Sequence, residues 1–287
     1  MTVFLNGEFM PLAEAHISPL DRGFLFGDGV YEVIPAYAGK LFRIEQHLDR
    51  LDNSLNGIRL RNPYSKLEWT QILTQLIDLQ GYENHSIYLQ VTRGADSKRD
   101  HSFPSDNVKP TVFIMSNELL STPVATRHDG VCAITKPDDR WQHCDIKAIT
   151  LLANILLRQQ ATDQGCTETL LTRDNKVIEG AASNIFIVAD NVIKTPGKGQ
   201  QLLPGITRDL ILEIAEQQHM DTFEGDISID ELFSADEVWI SSSTKEVLPV
   251  ISIDEKPVGD GVPGPVWQKM VHYYADYKQR LVAGEIS

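Results

Sequence analysis

Cysteine is scarce in this 287-residue chain: Cys132, Cys144 and Cys166 are its three, far apart and without a Cys-x-x-Cys pair. That excludes a disulfide-stapled small scaffold and reads as reduced structural thiols in a cytoplasmic protein. Basic charge is in deficit too, with 26 Lys and Arg against 40 Asp and Glu and a formal net charge of -14. A general nucleic-acid binder needs a basic face for phosphate, and a membrane-surface protein needs a polybasic patch, so neither class fits. No apolar run approaches the roughly 18 residues of a membrane span. The opening Met1-Thr-Val-Phe-Leu-Asn-Gly-Glu has neither the basic nor the apolar region of a secretory signal. Also missing are H-E-x-x-H, Cys/His ligand spacing, G-x-S-x-G and a P-loop, so no metal site is expected and two common hydrolytic mechanisms lose their support. One G-x-G-x-x-G occurs, at Gly259, Gly261 and Gly264, with Pro263 and Pro265 in and beside it. Too little chain follows to complete a βαβ unit, and a turn with a helix start is the better reading.

What is present is an ordinary globular composition, 42% hydrophobic and 23% charged, in a chain long enough for two domains. Val3-Phe-Leu5 before Asn6-Gly7 reads as a hairpin, and Gly29 to Ile34 as a strand leading to a turn at Ala38-Gly39-Lys40. Ile44, Leu48, Leu51 and Leu55 predict a helix over 44–56, a second helix is expected over 67–80, and strands over 87–92 and 112–115. Between those strands, 93–110 is a polar loop too long for a plain connection. A helix is expected over 151–164 with Leu151, Leu152, Ile155 and Leu156 as its apolar face. Beyond it come a strand pair of 168–172 and 184–188, a helix over 209–218, a strand over 238–240 and a closing helix over 266–281. Strands cluster without the regular alternation of a doubly wound sheet, so the fold class is α+β in two domains. Turn composition places a linker at 121–133, between a smaller α/β domain over 1–120 and a larger domain over 134–287.

Four separated features fit one cofactor, although each has a plainer reading. Lys147 sits among Ile146, Ala148 and Ile149, which shield its amine from water; most lysines are instead solvated surface charges. Glu179 lies in Val177-Ile-Glu-Gly-Ala-Ala-Ser-Asn184, where small residues admit a flat ligand; a solvent-facing strand glutamate would look similar. Leu203-Pro-Gly-Ile-Thr-Arg-Asp209 is a tight turn into a helix, either an ordinary N-cap or a phosphate cup of free amides and the Thr207 hydroxyl. Ser241-Ser-Ser-Thr244 offers further hydroxyls, or a polar turn. A Schiff-base lysine, an acid for a pyridine nitrogen and a phosphate cup are what pyridoxal 5'-phosphate requires.

With these residues in view, the sequence resembles the class IV (fold-type IV) pyridoxal-phosphate-dependent aminotransferases, and within them the D-amino-acid transaminases. The matching segments span nearly the whole chain, from Asp21-Arg-Gly-Phe-Leu-Phe-Gly-Asp-Gly-Val-Tyr-Glu-Val33 to Ser242-Ser-Thr-Lys-Glu-Val-Leu-Pro-Val250. His47-Leu-Asp-Arg-Leu51, Ile87-Tyr-Leu-Gln-Val-Thr-Arg-Gly94, Cys144-Asp-Ile-Lys147, Glu179-Gly-Ala-Ala-Ser-Asn184 and Gly205-Ile-Thr-Arg-Asp209 lie between them in the family's order. The resemblance implies a two-domain fold of the D-amino-acid-aminotransferase type with the cofactor at the domain interface and 134–287 as the larger, cofactor-binding domain. It makes Lys147 the Schiff-base lysine and proton carrier, and Glu179 the partner of the pyridine nitrogen. It gives the phosphate to Arg50, Ile206, Thr207 and Ser243, with Leu203 and Ser242 also against the cofactor. By helical spacing alone Arg50 reads as a solvated charge; the resemblance overrules that.

Substrate choice rests on Tyr31 and the loop Asp96-Ser-Lys-Arg-Asp-His-Ser-Phe-Pro104. The resemblance makes Tyr31, Arg99 and His101 a trap for the substrate carboxylate, with the loop reaching the active site of the other subunit of a homodimer. Residues i and i+2 of an extended segment point the same way, which suits a guanidinium and an imidazole sharing one carboxylate. Lys98 also offers a cation there, and Ala181 and Ala182 stand where some relatives carry hydroxyls. The expected activity is ping-pong transamination between a D-amino acid and a 2-oxo acid. Branched-chain L-amino-acid aminotransferase and aminodeoxychorismate lyase are the alternatives within the family. A non-catalytic binding module is the alternative outside it.

Overall fold

The computed structural model describes residues 1–286. It divides into two compact units: Met1–Leu120 with Ile146–Leu151 and the C-terminal residues from Leu281, and Ser121–Asp145 with Leu152–Arg280. The division therefore differs from a single cut at 121–133, because the segment carrying Lys147 returns to the first unit.

The first unit is an antiparallel sheet covered by two helices. Its strands are β1 (Thr2–Leu5), β2 (Glu8–Pro11), β3 (Gly29–Tyr37), β4 (Lys40–Leu41), β5 (Asn84–Thr92) and β6 (Thr111–Glu118), in the order β2-β1-β6-β5-β3-β4. The β1–β2 hairpin turns where expected, since Asn6 and Gly7 both adopt positive φ, as a two-residue hairpin loop demands. Alternation brings Val30, Ile34, Ile87, Leu89, Val91 and Ile114 to one buried face. Helices α1 (Arg22–Phe26), α2 (Ile44–Gly57) and α3 (Lys66–Asp78) belong to this unit, and Leu48, Leu51, Leu55, Trp69, Leu73 and Leu76 of the last two pack on that face. Each such side chain contributes about 1.5–3 kcal/mol by leaving water. Glu32 shares the inward row of β3 and is fully buried. A Ser65/Glu68 capping box starts α3.

The second unit is a mixed sheet of β7 (Val131–Pro137), β8 (Glu168–Arg173), β9 (Lys176–Gly180), β10 (Asn184–Ala189), β11 (Val192–Thr195), β12 (Thr222–Glu224), β13 (Glu237–Ser242), β14 (Glu246–Ile253) and β15 (Lys256–Pro257). The order is β12-β11-β10-β13-β14-β7-β8-β9, with β15 on β14. Only the β11/β12, β14/β7 and β7/β8 pairs are parallel among the described residues. Its helices are α4 (Val124–Asp129), α5 (Leu152–Asp163), α6 (Ile206–Gln217), α7 (Ile229–Ser234) and α8 (Pro265–Ala283).

Four expectations change or sharpen here. Residues 168–172 pair with β9 through the turn at Asp174 and Asn175, whereas β10 pairs with β11 and β13. The expected apolar face of α5 is not the buried one: Leu157 and Ala161 are buried, while Leu152, Ile155 and Leu156 are 71%, 60% and 56% exposed. Cys132 and Cys166 are joined in a disulfide rather than left as thiols, because parallel pairing of β7 and β8 brings their Cα atoms to 4.9 Å; Cys144 is free and buried. The Gly259–Gly264 segment is a turn before α8, and the Glu237 carboxylate accepts the Val266 and Trp267 amides at 2.8 Å each. A Cβ on Gly264 would fall 2.1 Å from Glu237 Cδ, so glycine here lets that carboxylate reach the helix N-terminus. The end is filled by the protein's own acid. No helix among the described residues is long and apolar enough to cross a membrane, and none of their His, Cys, Asp and Glu side chains form a group able to hold a metal.

Candidate active site

In the first unit, Lys147 is rooted beside β3. The Tyr31 amide donates to the Lys147 carbonyl at 2.9 Å, Ile149 N donates to Gly29 O at 3.1 Å, and Val30 bridges Ala148. The Lys147 amide donates to Ser54 Oγ of α2 at 3.1 Å, and Ile146 packs against the core. Lys147 Nζ then stands 4.2 Å from the centre of the Tyr31 ring, whose other neighbour is Tyr88 at 5.7 Å. Backbone pairing thus fixes the amine to one strand and one aromatic face.

Behind Tyr31 lies a buried charge network. Arg50 donates from Nε to Glu32 Oε1 at 2.8 Å and from Nη2 to Glu32 Oε2 at 2.7 Å, and His47 Nδ1 is 2.8 Å from Glu32 Oε2. Burial alone would push the Glu32 carboxyl up, but Arg50 and His47 outweigh it and bring it to about 2. Burial also lowers His47, against the pull of Glu32 and with the push of Arg50 and Lys147. Arg50 is therefore not a solvated helix-face charge: it is 6% exposed and clamped bidentately. Glu32 and His47 lie in segments already matched, yet the sequence reading assigns neither a role. The signal was an acid on the inward face of a β-strand, opposite a helix face bearing two basic side chains.

The loop after β5 carries Arg99 and His101, both exposed and both on one ring: Arg99 lies 4.7 Å and His101 5.3 Å from the centre of Phe26. Lys98 pairs instead with Asp100 at 3.1 Å.

The second unit holds Glu179, which is 5% exposed. Arg140 Nη1 donates to its Oε1 at 2.7 Å, and Oε2 accepts from Leu203 N at 3.1 Å and Asn184 Nδ2 at 3.4 Å. An ionised carboxylate has about four acceptor positions, so one remains for a further donor. Arg140 is shared with Asp138, to which it donates from Nε at 2.9 Å and Nη2 at 3.1 Å. Burial raises Glu179 more than Arg140 and the Leu203 amide lower it, and Asp138 adds to the rise, leaving it at about 7. Arg140, although burial opposes its charge, is raised above its ordinary value by the two carboxylates. Nothing in the periodicity of 138–145 marks Arg140 or Asp138; both lie in a loop.

Leu203 meets Glu179 through its backbone, while its carbonyl accepts from Asn184 Nδ2 at 2.9 Å. Ile206 and Thr207 open α6, both buried, with Gly205 as N-cap and no side-chain cap. The first amides of a helix lack intrahelical partners, so this end suits an anion. A Cβ on Gly205 would stand 1.9 Å from Asn184 Oδ1, so glycine there preserves the Asn184 contacts. Ser242 accepts the Lys245 amide at 3.3 Å, Ser243 is half-buried in the same turn, and the buried Ser241 Oγ has no hydrogen-bond partner among the described residues.

A family model described as amino-transferase class IV matches residues 29–253. The chain is 39% identical over 275 residues to D-alanine aminotransferase of Staphylococcus aureus (strain COL), covering 96% of this chain and 97% of that one. It is 38% identical over 278 residues to D-alanine aminotransferase of Listeria monocytogenes serotype 1/2a (strain 10403S), covering 96% of each. Among solved structures, Escherichia coli branched-chain amino acid aminotransferase superposes with a TM-score of 0.89 at 25% identity, over 96% of this chain and 93% of that one. The T.th. branched-chain amino acid aminotransferase with pyridoxamine 5'-phosphate gives 0.88 at 27% identity, with the same coverage. Enzymes of this class depend on pyridoxal 5'-phosphate. With the family model over most of the chain and relatives at 38–39% identity, this chain belongs to the class IV aminotransferases.

Proposed function

We propose that the protein transfers an amino group between a D-amino acid and a 2-oxo acid, such as D-alanine and 2-oxoglutarate giving pyruvate and D-glutamate, in two half-reactions. The observation that carries this reading is the pairing of Arg99 and His101 on one aromatic ring, two residues apart, in a chain 38–39% identical to D-alanine aminotransferases. When bound, pyridoxal phosphate supplies an aldehyde for the amino group and a protonated ring to receive electrons from the substrate's α-carbon. Arg50, the Ile206 and Thr207 amides, the Thr207 hydroxyl and Ser243 take the phosphate. Leu203 and Ser242 complete its surroundings. Glu179 holds the ring-nitrogen proton; a carboxyl raised to about 7 is matched to sharing it. Lys147 Nζ would hold the cofactor's aldehyde carbon and would serve as the base that takes the proton from the substrate's α-carbon. Tyr31, Arg99 and His101 hold the substrate carboxylate.

A homodimer, with the Arg99/His101 loop serving the partner's site, belongs to this reading. It is supported by Leu152, Ile155 and Leu156, a contiguous aliphatic stripe left exposed on a single chain. A cytoplasmic location is proposed with it on the scarcity of cysteine; the Cys132–Cys166 disulfide runs against it. The structural likeness to branched-chain enzymes favours the rival L-specific reading. The half-reaction separates the two: D-alanine should convert the bound cofactor to its amine form, followed at the visible absorbance band. Conversion by L-leucine and not by D-alanine overturns the D-specific assignment.

A further inference from the structure

The loop between Thr92 and Thr111 has its base fixed by the pairing of β5 with β6. Its tip, which carries Arg99 and His101, has no strand or helix of its own beyond that pairing, and such segments are ordinarily among the first to open. This one is gripped. Arg22 Nη1 donates to the Asp100 carbonyl at 2.6 Å and the Ser102 carbonyl at 3.2 Å, and Nη2 donates to the His101 carbonyl at 3.4 Å. Three consecutive carbonyls thus converge on one guanidinium, whose Nε is in turn held by Asp28 Oδ2 at 2.8 Å. Asp28 holds a second guanidinium, that of Arg93, from Nε at 2.8 Å and Nη2 at 3.0 Å. Arg93 stands 3.8 Å from the Phe103 ring centre and donates to the Ile58 carbonyl at 2.7 Å. The Arg22 guanidinium also lies 4.8 Å from the Phe26 ring on which Arg99 and His101 rest.

We propose that Arg22 is a positioning residue for substrate selection: held by Asp28, it locks the backbone of 100–102 and so fixes Arg99 and His101 where they read the substrate carboxylate. The inference rests on the carboxylate reading above. Lysine cannot take its place, because one ammonium cannot reach Asp28 and three carbonyls with a planar fork. Phe103, half-exposed, supports the same anchor from the Arg93 side.

The test uses the holoenzyme with Arg22→Lys and, as a variant less exposed to folding failure, Phe103→Leu. Two readings are taken: tryptic cleavage after Lys98 and Arg99, and the kcat and KM for D-alanine, with cofactor affinity as control. Both variants should be cleaved faster and show a KM raised about ten-fold or more for Arg22→Lys, less for Phe103→Leu. Their kcat and pyridoxal phosphate affinity should stay within about two-fold, a split that a general loss of structure would not produce. Cleavage at the wild-type rate overturns the anchoring. Faster cleavage with KM unchanged overturns the positioning role, and Arg99→Ala then locates the fault. If Arg99→Ala raises KM, the inference alone has failed; if it does not, the carboxylate reading has failed.

Discussion

Replacing Glu32 by glutamine keeps its shape and removes its charge from beneath Arg50 and His47. The carboxyl lies at about 2 in the folded protein against an ordinary 4.5. That difference corresponds to about 3 kcal/mol of stability. The sign follows from the depression: the contribution is complete above 4.5 and is lost as pH falls through about 2. An independent route gives the same size, since removing one partner of a buried ion pair costs about 3–5 kcal/mol. Glutamine returns part of this through its carbonyl, which accepts from one Arg50 nitrogen. We expect the apoprotein of Glu32→Gln to be about 3 kcal/mol less stable than wild type at pH 7, measured by urea unfolding. Hydrogen exchange of the β3 and β5 amides would show that the loss is in the first unit. The gap should shrink to about half by pH 3, where the wild-type carboxyl begins to take its proton. With Arg50 no longer clamped, affinity for pyridoxal phosphate should also fall about ten-fold. A variant within about 1 kcal/mol of wild type at pH 7, or a gap unchanged between pH 4.5 and 3, would refute the reasoning.

Lys147→Ala should abolish turnover and the visible absorbance of the holoenzyme; a yellow, active variant removes Lys147 from its assigned role. Glu179→Gln should slow the reaction about a hundred-fold or more while changing cofactor affinity far less, as measured by pre-steady-state absorbance and titration of the apoprotein. Because the folded pKa of Glu179 is raised from 4.5 to about 7, its favourable contribution is complete below 4.5 and lost as pH rises through 7. The Glu179→Gln apoprotein should therefore lose less stability than wild type between pH 5 and pH 8. If the proposed homodimer forms through the α5 stripe, Leu156→Glu should sediment as a monomer where wild type sediments as a dimer; a variant that stays dimeric excludes the stripe from the interface.

Period and turn chemistry made much of the fold readable. The Asn6-Gly7 hairpin, α2 and α3 follow from local pattern, and the structure sets them within a residue or two of expectation. The failures share a cause: pattern tells which residues lie together, not what covers them. Leu152, Ile155 and Leu156 do share a helical face, but α5 buries Leu157 and Ala161 against its own unit. The Glu168 strand has a tight turn at its end, which favours the adjacent β9 over the more apolar β10 as hairpin partner. Cys132 and Cys166, separated by 34 residues, meet only because β7 and β8 run parallel. At the site, Lys147 and Glu179 stand out by their apolar and small neighbours and take their roles from family resemblance, whereas Arg50 was reached through the resemblance alone. Glu32 was legible from strand alternation alone, since an acid between Val30 and Ile34 on the inward row demands a buried partner. Arg140 had no such signal, because a loop has no period.

The two buried glutamates show why partner identity alone does not set a carboxyl's protonation. Each faces an arginine at 2.7 Å, yet Glu32 lies at about 2 and Glu179 at about 7. Burial raises both, and they differ in how far the neighbouring cations offset it. Arg50 places two nitrogens on Glu32 alone, and His47 adds a third contact. Arg140 gives one nitrogen to Glu179 and two to Asp138, whose charge then raises Glu179 further. Asp138, which Arg173 also meets at 3.1 Å, thus offsets part of the positive field that Arg140 provides to Glu179. A glutamate depressed like Glu32 would hold its charge through the whole working range and serve as a fixed anchor. One poised near neutrality takes up or releases a proton at little cost, which suits the partner of a ring nitrogen proposed for Glu179. Asp138→Asn should therefore lower the Glu179 pKa by returning Arg140 to it. The shift is measurable by infrared difference titration of the apoprotein against a Glu179→Gln control. An unchanged or raised Glu179 pKa would mean that burial alone sets it, and that Asp138 only orients Arg140.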